Sequence, residues 1–224
     1  MAIRWHRLFV LGLAALLATG LSSAHAADPD FDLPDGSGHF YKQTNGRDGQ
    51  GDTGFAVTNL DSIPLWDIYR HLGGPAALGY PVSHRFSWDG FTVQAFQKAV
   101  LQWRPDSASV TFANVLDRMH DLGKDDWLLV HRQTPPPFDT SPDTGLPWDQ
   151  VVQRHLALLD SNLPIKQRFL ANPNWLDHYG LPTSHADFGS FYVVRTQRAV
   201  FQYWKEDAPW ANEGDVTIAN VGDL

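Results

Sequence analysis

Apolar and polar positions along this chain follow two periods, and the same pair of periods comes round twice. Leu65, Ile68, Tyr69 and Leu72 fall three or four apart, the spacing of one helix face. Asp61-Ser62 stands before this run as a cap, Pro64 suits the first turn and Gly73-Gly74 stops it. From Phe91 the period shortens to two, since Phe91, Val93 and Ala95 alternate with Thr92, Gln94 and Phe96, which predicts a strand. A turn near Lys98-Ala99 leads into a second strand, Val100 to Trp103, and Val110 to Val115 supplies a third. Leu116 to Leu122 returns to helical spacing and ends at Gly123, while Trp127 to Val130 is apolar but too short to assign. Gln133 to Pro147, QTPPPFDTSPDTGLP, has no period and reads as a linker or an extended surface arm. Trp148 to Leu159 then predicts an amphipathic helix, with Trp148, Val152, Leu156 and Leu159 on its apolar side.

The stretch Leu78 to Trp103, LGYPVSHRFSWDGFTVQAFQKAVLQW, is written again about a hundred residues later as YGLPTSHADFGSFYVVRTQRAVFQYW. Gly79, Pro81, Ser83 and His84 match Gly180, Pro182, Ser184 and His185; Gln97 matches Gln197, and Trp103 and Trp204 close the two hairpins. VTFANVLD from Val110 matches VTIANVGD from Val216, pairing Asn114 with Asn220, after a six-residue excess in the preceding loop. Insertions in loops and identities in strands and turns are what a structural repeat produces. The fold class predicted is α+β: tandem helix-plus-β-hairpin repeats of short antiparallel strands, pseudo-symmetric. Residues 61–132 form the first unit, 133–147 a Pro-rich linker and 148–224 a helix plus the second unit. A partial hairpin repeat at 39–60, ending GFAVTNLD, follows a flexible acidic lead-in at 27–38. Whether the two units share one core or build two is open at this level.

Leu-Gly-Tyr-Pro, the glycine at Gly90, the aromatic strand through Phe96, the strand ending in Trp103 and the closing valine strand together resemble the LGFP repeat of exported bacterial proteins. That resemblance implies tandem packing of short strands and attachment to the cell wall. The family places glycine in the hairpin turn where this chain has Ala99 and Ala199, so the resemblance predicts either another turn type or about 1 kcal/mol of strain.

Composition narrows the setting. Met1 to Ala26 carries Arg4 and Arg7, an apolar run from Leu8 to Leu21 and the small-x-small sequence Ala24-His25-Ala26, which reads as a cleaved secretory signal. The remaining 198 residues are then secreted or associated with the cell envelope, with no membrane insertion after cleavage. Removing the two arginines moves the net charge from −8 to −10, which argues against nucleic acid as a partner. There is no cysteine, so disulfides and thiolate sites are excluded and packing alone must hold the chain. Eight tryptophans follow Ala26; Trp66, Trp103, Trp148 and Trp204 are the candidate core set.

Candidate chemistry is sparse. The repeated pairs Ser83-His84 and Ser184-His185 suggest nucleophile and base, but adjacent side chains diverge and no Gly-x-Ser-x-Gly elbow accompanies them. Their duplication favours turn architecture, with the serine capping a turn. The histidines show no i, i+4 pair with an acidic helper, and Glu206 and Glu213 lie together in the loop peculiar to the second unit. Asp28, Asp30, Asp32 and Asp35, and separately Asn45, Asp48 and Asp52, are read as solvated tail and turn residues in preference to calcium ligands. No metal or cofactor is expected. Trp88 with Asp89, and Trp210 with Asn212, lie in loops and are the candidate ligand-binding residues, because an indole beside short polar groups suits a sugar ring; the alternative is that each indole anchors its loop. The expected function is a non-catalytic module binding cell-envelope polysaccharide, the alternatives being a structural protein that self-associates at the envelope surface and a weak hydrolase.

Overall fold

A computed structural model describes residues 30–45 and 53–224. The leader Met1 to Ala26, Asp28 and the loop acids Asp48 and Asp52 lie outside the described residues. The chain is a mixed α+β protein of three small antiparallel sheets with helices between them. The first sheet takes β1 (Phe31–Asp32), β2 (Gly38–Asn45) and β3 (Thr53–Thr58). Then come α1 (Leu65–His71) and α2 (Gly74–Leu78). The second sheet follows as the meander β4 (Phe86–Trp88), β5 (Phe91–Phe96), β6 (Ala99–Arg104) and β7 (Ser109–Phe112). Next are α3 (Val115–Asp121), α4 (Asp125–Arg132) and α5 (Trp148–Leu156), then α6 (Leu163–Leu170) and α7 (Trp175–Tyr179). The third sheet closes the chain as β8 (Pro182–Asp187), β9 (Phe191–Thr196), β10 (Val200–Trp204) and β11 (Val216–Ile218).

The repeated glycine and glutamine turn out to be two halves of one device. Gln97 begins the two-residue turn between β5 and β6, and its side-chain Oε1 accepts the Tyr80 N–H at 3.0 Å. Gln197 does the same for the Leu181 N–H at 2.9 Å. Gly79 (φ +76°, ψ 177°) and Gly180 (φ +71°, ψ −172°) bring the backbone close enough for this, in a region of conformational space that is nearly closed to other residues. A Cβ on Gly79 would lie 2.6 Å from the Cβ of Gln97, and one on Gly180 would lie 2.8 Å from that of Gln197. No residue of either hairpin turn has positive φ, and Ala99 and Ala199 are buried just past it. The alanines therefore carry no left-handed strain, and the alternative of another turn type is the one realised.

Several expectations from the sequence are corrected. Gly73, in the left-handed region, does end α1, but Pro75 suits a new first turn and the chain re-enters helix as α2. Trp127 to Val130 belongs to α4, whose Leu128 is buried. Ser184 and His185 lie inside β8, so the second Ser-His pair is strand and not turn. The acidic lead-in is partly structured: β1 pairs with β2, and Asp30 accepts bonds from the Lys42 N–H (3.1 Å) and the Gln43 side chain (2.6 Å). Trp148 is 59% exposed, because it opens α5 and that helix packs through its other end, at His155 and Leu156. Trp103 and Trp204 are not equivalent. Trp103 packs beside Leu101 against the helix side of its sheet, whereas Trp204 is buried in the core between the two four-stranded sheets. The hairpin partner of Trp103 is Thr92 and that of Tyr203 is Tyr192, so Trp204 stands one position further on and faces the other way.

One core joins the units. Val93, Ala95, Val100, Val115 and Leu116 from the first pack with Phe191, Val193, Val200, Trp204 and Val221 from the second. Outer clusters lie on either side, one gathering Tyr41, Tyr69, Phe96 and Leu101, the other Leu159, Phe169, Val194 and Phe201. The join is reciprocal at the backbone. The Leu116 N–H, just after the first VTxANV segment, donates to the carbonyl of Gln197 at 3.1 Å. The Val221 and Gly222 N–H groups, at the end of the second segment, donate to the carbonyl of Gln97 at 2.9 and 3.2 Å.

Arg195 completes the junction and stands where the first unit has Ala95. It is 0% exposed; Nη1 donates to Asp125 Oδ1 (2.8 Å) and the Pro135 carbonyl (2.9 Å), and Nη2 to the Leu116 carbonyl (2.7 Å). The Pro-rich segment is thereby drawn onto the second unit, where Thr134 and Pro135 are buried and the Phe138 N–H donates to the Thr183 carbonyl at 2.8 Å.

Candidate ligand groove

A groove of about 980 Å³ opens along the outer edge of β7, where α1, α3 and α7 approach the second sheet. β7 ends its sheet, so its outer side has no strand partner among the described residues. The Ala113 N–H donates to the Val100 carbonyl, and the antiparallel alternation then turns the peptide groups of Phe112 and Val110 away from β6. Among the described residues these groups have no hydrogen-bond partner, and they line the groove as donors and acceptors.

Side chains arrive from four directions. Trp88 comes from the end of β4 and Asp89 from the turn after it, where Asp89 has φ +49°. Trp88 is half-buried and rests partly on the shared core, so it both anchors its loop and borders the groove. α3 contributes Asp117, Arg118 and Asp121, and α7 contributes Asp177 and His178. Arg118 Nη2 donates to Asp89 Oδ1 at 3.0 Å, with Nε 3.0 Å from the other oxygen, so the ion pair ties the Trp88 loop to α3. Arg104 lies over the Phe91 ring at 4.8 Å and is paired with Asp106 at 3.1 Å. Arg198 donates to Asn114 Oδ1 at 2.5 Å and to the carbonyls of Leu176 and Asp177.

Among the carboxyl and imidazole groups of the groove, two have displaced pKa values. Burial pushes the Asp117 carboxyl above its ordinary range, against the opposing pull of a hydrogen bond from Gln197 Nε2 at 2.8 Å and the charge of Arg195. Burial pushes His178 down, and its Nδ1 lies 2.8 Å from the side-chain amide of Asn172. A carboxyl shifted upward in a cleft is the usual mark of a general acid. Here the same place in the second VTxANVxD segment is held by Asp223, so Asp117 is first of all a part of the repeated junction.

The candidate residues from the sequence separate. Trp88 and Asp89 border the groove; Trp210 and Asn212 do not. Trp210 is 71% exposed on the β10–β11 loop with its ring edge-on to Trp204 at 5.8 Å, and Asn212 is bonded to Asp215 in the same loop. Asn114 lines the groove, whereas its counterpart Asn220 lies away from it on a small cavity of about 200 Å³. The Ser-His pairs make no dyad. Ser83 Oγ accepts the Ala95 N–H at 2.9 Å while His84 meets the edge of Phe55. Ser184 donates to the Pro135 carbonyl and His185 stacks on Tyr192. Among the described residues no three His, Asp or Glu side chains converge to hold a metal ion, and no helix is long and apolar enough to cross a membrane. The sequence reading missed Arg118, Asp177 and Arg198, which no periodicity distinguishes from ordinary surface charges. Asp117 was visible in the repeated VTxANVxD text.

No family model matches the chain, and neither does any curated protein or solved structure.

Proposed function

We propose that this is an exported, non-catalytic module that binds cell-envelope polysaccharide in the groove beside Trp88. The observation that carries the reading is the groove itself: open, polar, bordered by one indole and floored by the unpaired peptide groups of an edge strand. A sugar chain needs an apolar surface for a ring face and hydrogen-bonding groups around it, and such sites are concave with few, fixed polar groups. The likeness of the LGYP unit to the LGFP repeat of wall-attached bacterial proteins points the same way. The Ser-His geometry supplies no nucleophile, which favours binding over hydrolysis.

The test is co-sedimentation with purified bacterial cell-wall polysaccharide. Trp88→Ala should weaken binding about tenfold, which is the scale of one lost stacking platform of roughly 1.4 kcal/mol. Because Trp88 also touches the core, binding is measured well below the melting temperature of each variant. Trp210→Ala should leave binding unchanged. Binding that survives Trp88→Ala and is lost with Trp210→Ala would move the site to the β10–β11 loop.

A second reading, self-association at the envelope surface, is favoured by one observation. α4 exposes Trp127, Leu129 and Val130 within about one turn while burying only Leu128. Sedimentation velocity across a hundredfold concentration range checks it: a constant monomer removes it, and dimerisation abolished by Val130→Lys supports it.

A further inference from the structure

The balance of free donors and acceptors in the groove restricts what it can hold, and the inference rests on the glycan reading above. Each of its three arginines is already committed inside the protein: Arg104 to Asp106, Arg118 to Asp89, and Arg198 to Asn114 and two backbone carbonyls. The acids are not equally spent. Asp117 accepts one bond, from Gln197, and the exposed carboxylates of Asp121 and Asp177 make no hydrogen bond or ion pair among the described residues. What the groove offers a ligand is therefore mostly acceptors and negative charge, supplemented by the side-chain amides of Asn114 and Asn174 and the peptide groups of β7. A hydroxyl can donate to a carboxylate and accept from an amide. The anionic oxygens of a phosphodiester or of a uronate carboxylate can only accept, and they would face Asp121 and Asp177 beside arginines already held by bonds within the protein.

We propose that the groove selects an uncharged, hydroxyl-rich glycan and rejects polyanionic wall polymers. The net charge, −8 for the whole chain and −10 without the leader's Arg4 and Arg7, acts in the same direction at long range, weakening encounter with any polyanion at low salt.

The experiment separates purified cell-wall polysaccharide by anion exchange into neutral and acidic fractions and measures binding of the mature protein to each at low salt. The neutral fraction should bind at least about tenfold more tightly, a preference that should shrink as salt screens the carboxylates. In the double variant Asp121→Lys with Asp177→Lys, both exposed positions, the ratio of acidic-fraction to neutral-fraction binding should rise at least about tenfold, because two acceptors for hydroxyls are replaced by two cations that pair with anions, and an unchanged ratio overturns the charge selection. Equal or tighter binding of the acidic fraction, lost in Trp88→Ala, overturns the charge selection and leaves the glycan reading standing. Binding of neither fraction overturns the glycan reading and the selection with it.

Discussion

At the scale of single residues, the repeated letters are most informative where they explain each other. Gly79 with Gln97 and Gly180 with Gln197 are pairs in which the missing Cβ makes room for the amide that splints the hairpin. Gly79→Ala or Gly180→Ala should each lower stability by about 1–3 kcal/mol from backbone strain alone, and by more from the clash, read as the denaturant midpoint at constant slope. A loss confined to that range would show that the glutamine moves aside, and one below half a kcal/mol would contradict the backbone strain itself. Asp117 tests the junction through pH. Burial holds its carboxyl above the unfolded value of 3.8, so the folded state binds that proton more tightly than the unfolded state does. Its contribution is complete below 3.8 and is lost as pH rises through the folded value. Asp117→Asn keeps an acceptor for Gln197 without the charge. It should therefore raise the melting temperature at neutral pH, with the gain fading as pH is lowered toward about 4. A gain independent of pH would place its origin elsewhere.

At the scale of elements, the legible parts were those whose successive faces meet different surroundings. α1, α3 and β7 each turn one face to a core and the other outward, while β5 and β6 send Val93, Ala95 and Val100 into the shared core and Phe96 and Leu101 into the outer cluster, so period and position both show in the text. β4 was missed because three residues are too few to show a period, and β8 because Pro182 to Asp187 is written in Pro, Thr, Ser and Asp, residue types that read as turn. α2, at five residues, is too short for any period, and the Gly73-Gly74 pair at its start reads as a stop. Trp148 misled because amphipathicity shows which face of a helix is apolar but not how much of its length is covered. The groove was half legible. Trp88 and Asp89 stood out by composition, but α3 and α7 reach them only through tertiary packing that leaves no local signal. The Pro-rich segment is an element of the same kind, written as a connector yet gripped by Arg195. Arg195→Ala should cost about 3–5 kcal/mol, since it leaves Asp125 without its buried partner. Arg195→Met, which refills the volume, should cost less in double combination with Asp125→Leu than either change alone. Additive losses in that cycle would contradict the pairing.

At the scale of the whole molecule, the two units are halves of one structure. They share a core, and the tail of each VTxANV segment hydrogen-bonds to the hairpin turn of the other. Gly222 sits so close to Phe96 that an added Cβ would fall 1.6 Å from its carbonyl oxygen. Gly222→Leu should therefore destabilise both units together, and wild type should unfold in one transition with calorimetric and van't Hoff enthalpies equal. Two separable transitions would show two independent cores. The groove belongs to this scale as well, since its walls come from α1 and α3 of the first unit and α7 of the second.

The central claim, that the groove along β7 is the binding surface, is tested most directly by amide hydrogen exchange with and without purified neutral cell-wall polysaccharide. The peptide groups of Val110 and Phe112, together with residues 86–91 and 174–178, should gain protection while residues 205–215 stay unchanged. Protection confined to residues 205–215, or none at all at saturating polysaccharide, would contradict it.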